Sequence, residues 1–206
     1  MTSRATLLRL GVLASGRGSN LQAILEACAR PGFPARVAVV VGDRERAEAL
    51  ARARGHGVPA FWLNPKDFGD RVLYDEALRR LLDEHRVGLV CLAGFMRILT
   101  PGLVRAYAGR ILNIHPSLLP AFPGLAAQRQ ALEYGVRVAG ATVHFVDEGV
   151  DTGPIVLQAA VPVHADDTEE SLSARILVEE HRLYPEAIRL FAEGRLRLAG
   201  RTVTIR

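Results

Sequence analysis

Lysine is almost absent: Lys66 is the only one in 206 residues, although lysine and arginine together number 26. Arginine therefore carries the positive charge, spread among Glu and Asp on segments of helical period. No five basic residues follow one another, and no aromatic residues interleave with the arginines. The formal charge of +4 reads as surface solvation with a few anion sites, and no nucleic-acid partner is expected. Cysteine is scarce too. Cys28 and Cys91 sit in apolar surroundings without metal-ligand spacing, base or helix start nearby. That excludes a disulfide framework, argues against a catalytic thiol and fits a reduced, cytoplasmic protein. His56, His85, His144, His164 and His181 are scattered without an HExxH pattern, so no metal is expected. Nowhere do about 20 apolar residues run together, the length a membrane-crossing helix needs. The first apolar stretch, Leu7–Ala14, is interrupted by Arg9 and reads as a strand, not as a secretory signal or span. There is no GxSxG elbow, which argues against a serine hydrolase.

What is present is a core. Apolar residues make up 49% of the chain, and the length suits one domain over residues 1–206. Apolar β-rich runs alternate with helix-period segments. Strands are expected at Leu7–Ala14, Val37–Val41, Pro59–Trp62, Val87–Ala93 and Ile111–Ile114. Helices are expected at Ser19–Ala29, Arg44–Arg54 and Arg71–His85, the last with Leu73, Ala77, Leu78, Leu81 and Leu82 on one face. This βαβα order predicts an α/β fold: a Rossmann-like, mostly parallel sheet with flanking helices. After a first half ending near residue 110 the pattern turns mixed. A helix at Leu125–Tyr134 precedes long alternating strands at Val138–Val146 and Pro154–Val163. Asp167-x-x-Glu170 has the form of a capping box for a helix reaching Ala192, and the tail reads as a hairpin turning near Ala199–Gly200.

Four stretches carry chemistry. In "LASGRGSNLQAIL", Gly16 and Gly18 allow a tight turn from strand into helix, and Ser19 and Asn20 begin that helix. Free N–H groups there make an anion site; the plainer reading is an N-cap by Ser19. A dinucleotide fingerprint would need glycine where Leu21 stands, although Asp43 could mimic its ribose-binding acid, so a single phosphate fits better than NAD. In "ILNIHPSLLPAFPG", Asn113 and His115 lie two apart on a strand end and share a face. An amide donor beside an imidazole suits a developing oxyanion and a moving proton. Pro116, Pro120 and Pro123 would hold the exit still; the alternative is a structural pair bonded to loop backbone. In "HFVDEGVDTGPIVLQ", Asp151 sits in turn chemistry, either solvated or reaching His115 to keep it charged. In "LAGFMRIL", residues 95–99 leave a strand's carboxyl end and could wall a flat ligand or simply cap the core.

Taken together, "SGRGSNLQAI", "LAGFMRIL", "LNIHPSLLP", "FPGL", "HFV", "D-TGPI-LQ" and "EEH--YP", in this order from about residue 8 to 198, resemble the folate-dependent formyltransferases. The resemblance implies formyl transfer from 10-formyltetrahydrofolate as co-substrate to the amine of glycinamide ribonucleotide. The second half, about 111–206, would hold the catalytic and folate-binding elements, and the first half the phosphate. It implies that Gly18, Ser19 and Asn20 hold the 5′-phosphate, that Glu180 contacts the substrate, and that Met96, Arg97, Ile98 and Leu99 line the pteridine site. Asn113, His115 and Asp151 match the catalytic trio, with Asn113 also a folate contact. Arg71 matches a ligand-binding arginine, grouped with the folate contacts while the nucleotide stays open. Two departures bear on the nucleotide: Leu125–Gln128 replaces a more polar, His-containing stretch, and Leu177 stands where glutamine is expected. Branches that act on a charged tRNA or hydrolyse the folate carry an added region, and 206 residues fit the catalytic region alone. The alternatives are such a hydrolase, another formyltransferase, or a noncatalytic nucleotide-binding module. A monomer or homodimer is expected.

Overall fold

The computed structural model describes residues 7–206. Seven strands form one sheet in the order β3-β2-β1-β4-β5-β6-β7. β1 (Leu8–Ala14), β2 (Ala35–Gly42), β3 (Ala60–Trp62), β4 (Leu89–Leu92) and β5 (Ile111–His115) run parallel to one another. β6 (Val138–Phe145) and β7 (Ile155–Pro162) add antiparallel. The parallel strands are continuous apolar runs because helices cover both faces. On one face Leu10, Val12 and Ala14 pack with Leu21 and Ile24 of α1 (Ser19–Cys28), Leu50 of α2 (Glu48–Gly55) and Ile176 and Tyr184 of α6 (Glu169–Ala192). On the other, Leu13, Val39 and Val41 pack with Tyr74, Leu78 and Leu82 of α3 (Arg71–Glu84) and Leu103 of α4 (Pro101–Ala106). α5 (Ala127–Tyr134) joins β5 to β6, and β8 (Leu196–Ala199) pairs with β9 (Thr202–Ile205) in a terminal hairpin.

The expected mixed α/β sheet is therefore present, with local differences. Leu73 faces solvent, 49% exposed; Tyr74 and Asp75 take the buried stripe with Leu78 and Leu82. The α6 box sits one residue later than expected, because Thr168 is the N-cap and Ser171 its reciprocal partner. Asp167 instead grips Arg175 with both carboxylate oxygens at 2.8 Å and accepts from Ser171 Oγ at 2.7 Å. Arg44 to Ala47 form a turn before α2 rather than its first helical turn. The six-residue α4 follows Thr100, begins at Pro101 and is too short to show a period.

The order reverses between β2-β1 and β4-β5, so the carboxyl ends of β1 and β4 flank the switch point where ligands of open α/β sheets bind. Tyr184, fully buried on α6, places its hydroxyl 3.0 Å from the Leu92 carbonyl and 2.9 Å from that of Leu112. It thereby ties β4 and β5 together where both strands deliver residues to the site.

Candidate active site

The glycine loop begins at the end of β1. Gly18, not Ser19, is the helix N-cap, in a left-handed conformation with φ of 73° and without a side-chain cap. A Cβ there would lie 2.8 Å from Ala49 Cα, so both backbone angle and space demand glycine. The expectation of a Ser19 cap is corrected accordingly: Ser19 is the first helical residue, its hydroxyl uncommitted to capping. Asn20 is buried, and its Nδ2 donates to Glu180 Oε2 at 2.6 Å across the α1–α6 contact. Among the described residues Asn20 Oδ1 has no partner. Burial pushes the Glu180 carboxyl above its ordinary range, against the opposing Asn20 hydrogen bond.

Asn113 and His115 project from the same face of β5, and the register sets Asn113 opposite His144 and His115 opposite Thr142 of β6. Thr142 fixes the proline-rich exit: its Oγ1 donates to the Ser117 carbonyl at 2.7 Å and accepts from Leu119 N–H at 3.1 Å. Gln158 of β7 donates to Leu119 O and to Thr142 Oγ1, both at 2.9 Å. Proline rigidity is thus backed by a buried hydroxyl and an amide from the next two strands.

Asp151 comes in from the β6–β7 connection. Its φ of 54° is left-handed, a conformation that a short polar side chain tolerates at some strain. Gly153 follows where a Cβ would lie 1.8 Å from the Phe145 carbonyl oxygen, so only glycine lets the connection fold back this closely. Asp151 Oδ2 lies 3.3 Å from His115 Nδ1 and accepts the Gly124 N–H at 2.8 Å; Oδ1 accepts from Asn113 Nδ2 at 3.3 Å. The trio expected from the sequence therefore meets in one cluster. His115 Nε2 also lies 2.8 Å from the Phe122 carbonyl, so the loop-backbone reading of this residue holds as well.

The electrostatics refine one expectation. Asp151 was expected to keep His115 charged. Burial dominates and lowers the His115 pKa, outweighing the Phe122 carbonyl and Asp151, which both favour the cation. The fold thus favours the neutral imidazole. Both ring nitrogens nevertheless face acceptors, so a proton added during reaction finds two partners. Burial also works to raise the Asp151 pKa, but the Gly124 N–H bond and the nearby His144 and His115 rings hold it below its ordinary value.

His144 joins the cluster without having been singled out. Its Nε2 is 3.2 Å from Asn113 Nδ2 and 3.6 Å from Asp151 Oδ1, and its Nδ1 is 2.8 Å from the Phe145 carbonyl. The amide contact needs a bare Nε2, so the shorter distance and the Phe145 carbonyl together point to the Nδ1–H tautomer. The "HFV" string was the available signal, but only the β5–β6 register reveals its partner.

Residues 95–99 leave β4 in alternation. Met96 and Ile98 are 57% and 55% exposed and form an apolar surface beside the site. Arg97 turns inward, its guanidinium 4.8 Å from the Tyr74 ring centre, and Leu99 is buried among β4, α3 and α4. The Leu99 side chain, expected to line the pteridine site, is buried in the core. Arg71 opens α3 and is exposed, with Asp70 capping the helix before it.

Comparison with known proteins places these features in a family. Residues 8–188 match the family described as "Formyl transferase". Phosphoribosylglycinamide formyltransferase of Escherichia coli (strain K12) is 47% identical over 191 residues, covering 93% of this chain and 90% of that protein. The trifunctional purine biosynthetic protein adenosine-3 of Drosophila melanogaster is 50% identical over 188 residues; the match covers 90% of this chain but 14% of that much longer protein. The crystal structure of glycinamide ribonucleotide transformylase 1 from Symbiobacterium toebii superposes with a TM-score of 0.97 at 58% identity, covering 100% of this chain and 97% of that one.

Proposed function

The chain belongs to the formyl transferase family, and from that membership we infer that it transfers the formyl group of 10-formyltetrahydrofolate to the amine of glycinamide ribonucleotide. The product is N-formylglycinamide ribonucleotide, made in de novo purine biosynthesis in the cytoplasm. The observation that carries the catalytic assignment is the convergence of Asn113, His115 and Asp151 within 3.3 Å of one another through Asp151.

The nucleotide lies with its phosphate on the Gly18–Ser19–Asn20 turn and its sugar toward Glu180. The folate lies over Met96 and Ile98, with Arg71 at the outer end and Asn113 at the formyl group. The neutral amine attacks the formyl carbon, and the carbonyl oxygen becomes an oxyanion. The Asn113 amide donates to it; removing one such donor typically lowers kcat by about 10²–10³-fold. As the substrate displaces the Phe122 carbonyl, the single ring proton of His115 sits on Nδ1 toward Asp151, and the bare Nε2 takes the amine's proton. Asp151 and the nascent imidazolium then form an ion pair. Collapse of the intermediate breaks the C–N10 bond, and His115 returns the proton to N10, leaving tetrahydrofolate. Every step is direct, with no covalent bond to the protein, and holding both substrates in register supplies roughly 7–11 kcal/mol.

Initial rates measured over a grid of both substrate concentrations test this. Intersecting reciprocal plots are expected. Parallel lines would mean that the formyl group rests on the protein first, and direct transfer would be wrong.

A further inference from the structure

A cavity of about 250 Å³ opens beside the glycine loop, lined by Arg17, Gly18, Ser19, Asn20, Arg44 and Met96 among others. It is smaller than the roughly 300–1,000 Å³ of pockets that enclose whole drug-sized ligands, which makes it a subsite for one charged end. The first backbone bond of α1 runs from Gln22 N–H to the Gly18 carbonyl, so earlier N–H groups of the turn are free to face an anion. No acidic residue occupies that first turn, and among the described residues no carboxylate lines the cavity.

Three arginines surround the loop, and they divide into two roles. Arg52 of α2 is committed: its Nε donates to the Arg17 carbonyl at 2.8 Å, and its guanidinium reaches Gln22 at 3.5 Å and Glu48 at 3.7 Å. With Ala49 N–H on the Gly16 carbonyl at 3.1 Å, it fastens the loop backbone to α2. Arg17 and Arg44 are different. Both line the cavity, from the centre of the loop and from the residues after β2, and among the described residues neither guanidinium has a hydrogen-bond or ion-pair partner. Asn20 Oδ1, buried and unpartnered on the same wall, calls for a donor such as a sugar hydroxyl.

We propose that Arg17 and Arg44 are phosphate-binding residues, adding two side-chain cations to the main-chain N–H groups and setting the preference for a phosphorylated acceptor. The proposal rests on the reading that glycinamide ribonucleotide is the substrate. A phosphomonoester carries close to two negative charges at neutral pH and three strong acceptor oxygens. Two guanidinium groups match that charge and offer forked donors. Arg17 is presented from a backbone that Arg52 already holds, so little of the loop needs ordering when the phosphate arrives.

The test is steady-state kinetics of Arg17→Ala, Arg44→Ala and the double variant, with Arg197→Ala on the distant hairpin as control. Each single change is expected to raise the nucleotide KM about tenfold, the size of one charge-assisted hydrogen bond to a partly solvated anion. kcat and the folate KM stay where they are. Calorimetric titration with ribose 5-phosphate runs alongside and needs no turnover. Weakened ribose 5-phosphate binding in both single variants, with Arg197→Ala unchanged, supports the proposal even if the wild type fails to formylate the nucleotide; that failure would count against the substrate reading alone. An unchanged nucleotide KM and unchanged ribose 5-phosphate affinity in the double variant would overturn it.

Discussion

Replacing Asp151 by Asn removes one charge and almost no volume. In the native protein the carboxylate lies 3.3 Å from His115 Nδ1, with side chains 11% and 6% exposed. At that distance, with an effective dielectric of about 20, an aspartate and an imidazolium attract by roughly 5 kcal/mol. The Asn amide oxygen still accepts from Gly124 and offers His115 a dipole, recovering part of this. A net loss of about 3–4 kcal/mol in the step that forms the imidazolium corresponds to about 10²–10³ in kcat. The nucleotide KM changes little, because Asp151 does not touch the phosphate turn. The pH profile gives a second reading. The His115 pKa is already lowered by burial, and Asp151 opposes that shift. Removing the carboxylate lowers it further. Since His115 must start neutral, the acidic limb of kcat/KM moves to lower pH in Asp151→Asn while the plateau falls. The assay is tetrahydrofolate release from pH 5 to 9, with thermal unfolding to confirm an intact fold. A kcat within fivefold of the wild type, or an acidic limb that moves upward, would refute the assignment of Asp151 as partner of the imidazolium.

Three further changes address other parts of the structure. Glu180 has a raised pKa in the fold, so its contribution to stability is complete below the unfolded value of 4.5 and is lost as pH rises through the folded value. Glu180→Gln is therefore expected to stabilise the protein at pH 7 by about 0.5–2 kcal/mol, an advantage that shrinks toward pH 4 in chemical denaturation, while weakening nucleotide binding. Tyr184→Phe takes the donor from the Leu92 and Leu112 carbonyls and should lower stability by about 1–3 kcal/mol; urea midpoints check this. Ala126 holds a φ of 56° at the start of α5, so Ala126→Gly should recover about 1 kcal/mol of left-handed strain, read as a higher Tm.

Much of this site is legible in the chain because its parts are local. Asn113 and His115 lie two apart on one strand, so the strand period alone puts them side by side. The glycine loop announces itself by following a strand and opening a helix. What was not legible depends on register and burial. His144 reaches Asn113 only because β5 and β6 run antiparallel with those two residues opposed. The protonation of His115 could not be read either: a nearby acid argues for a charged ring, but the ring is 5% exposed, and burial decides. Likewise the 95–99 segment is apolar but for Arg97, and only the fold sorts Met96 and Ile98 outward from Leu99 inward. The α6 box was displaced because Asp167 has a better partner in Arg175 than in the helix end it precedes.

The most direct measurement incubates the purified protein with 10-formyltetrahydrofolate, with and without glycinamide ribonucleotide, and follows tetrahydrofolate together with the formylated nucleotide; His115→Ala is run beside it. Release that requires the nucleotide, matches the product mole for mole and disappears in His115→Ala is the expected result. Release of tetrahydrofolate without the nucleotide, or full activity in His115→Ala, would contradict direct transfer through this site.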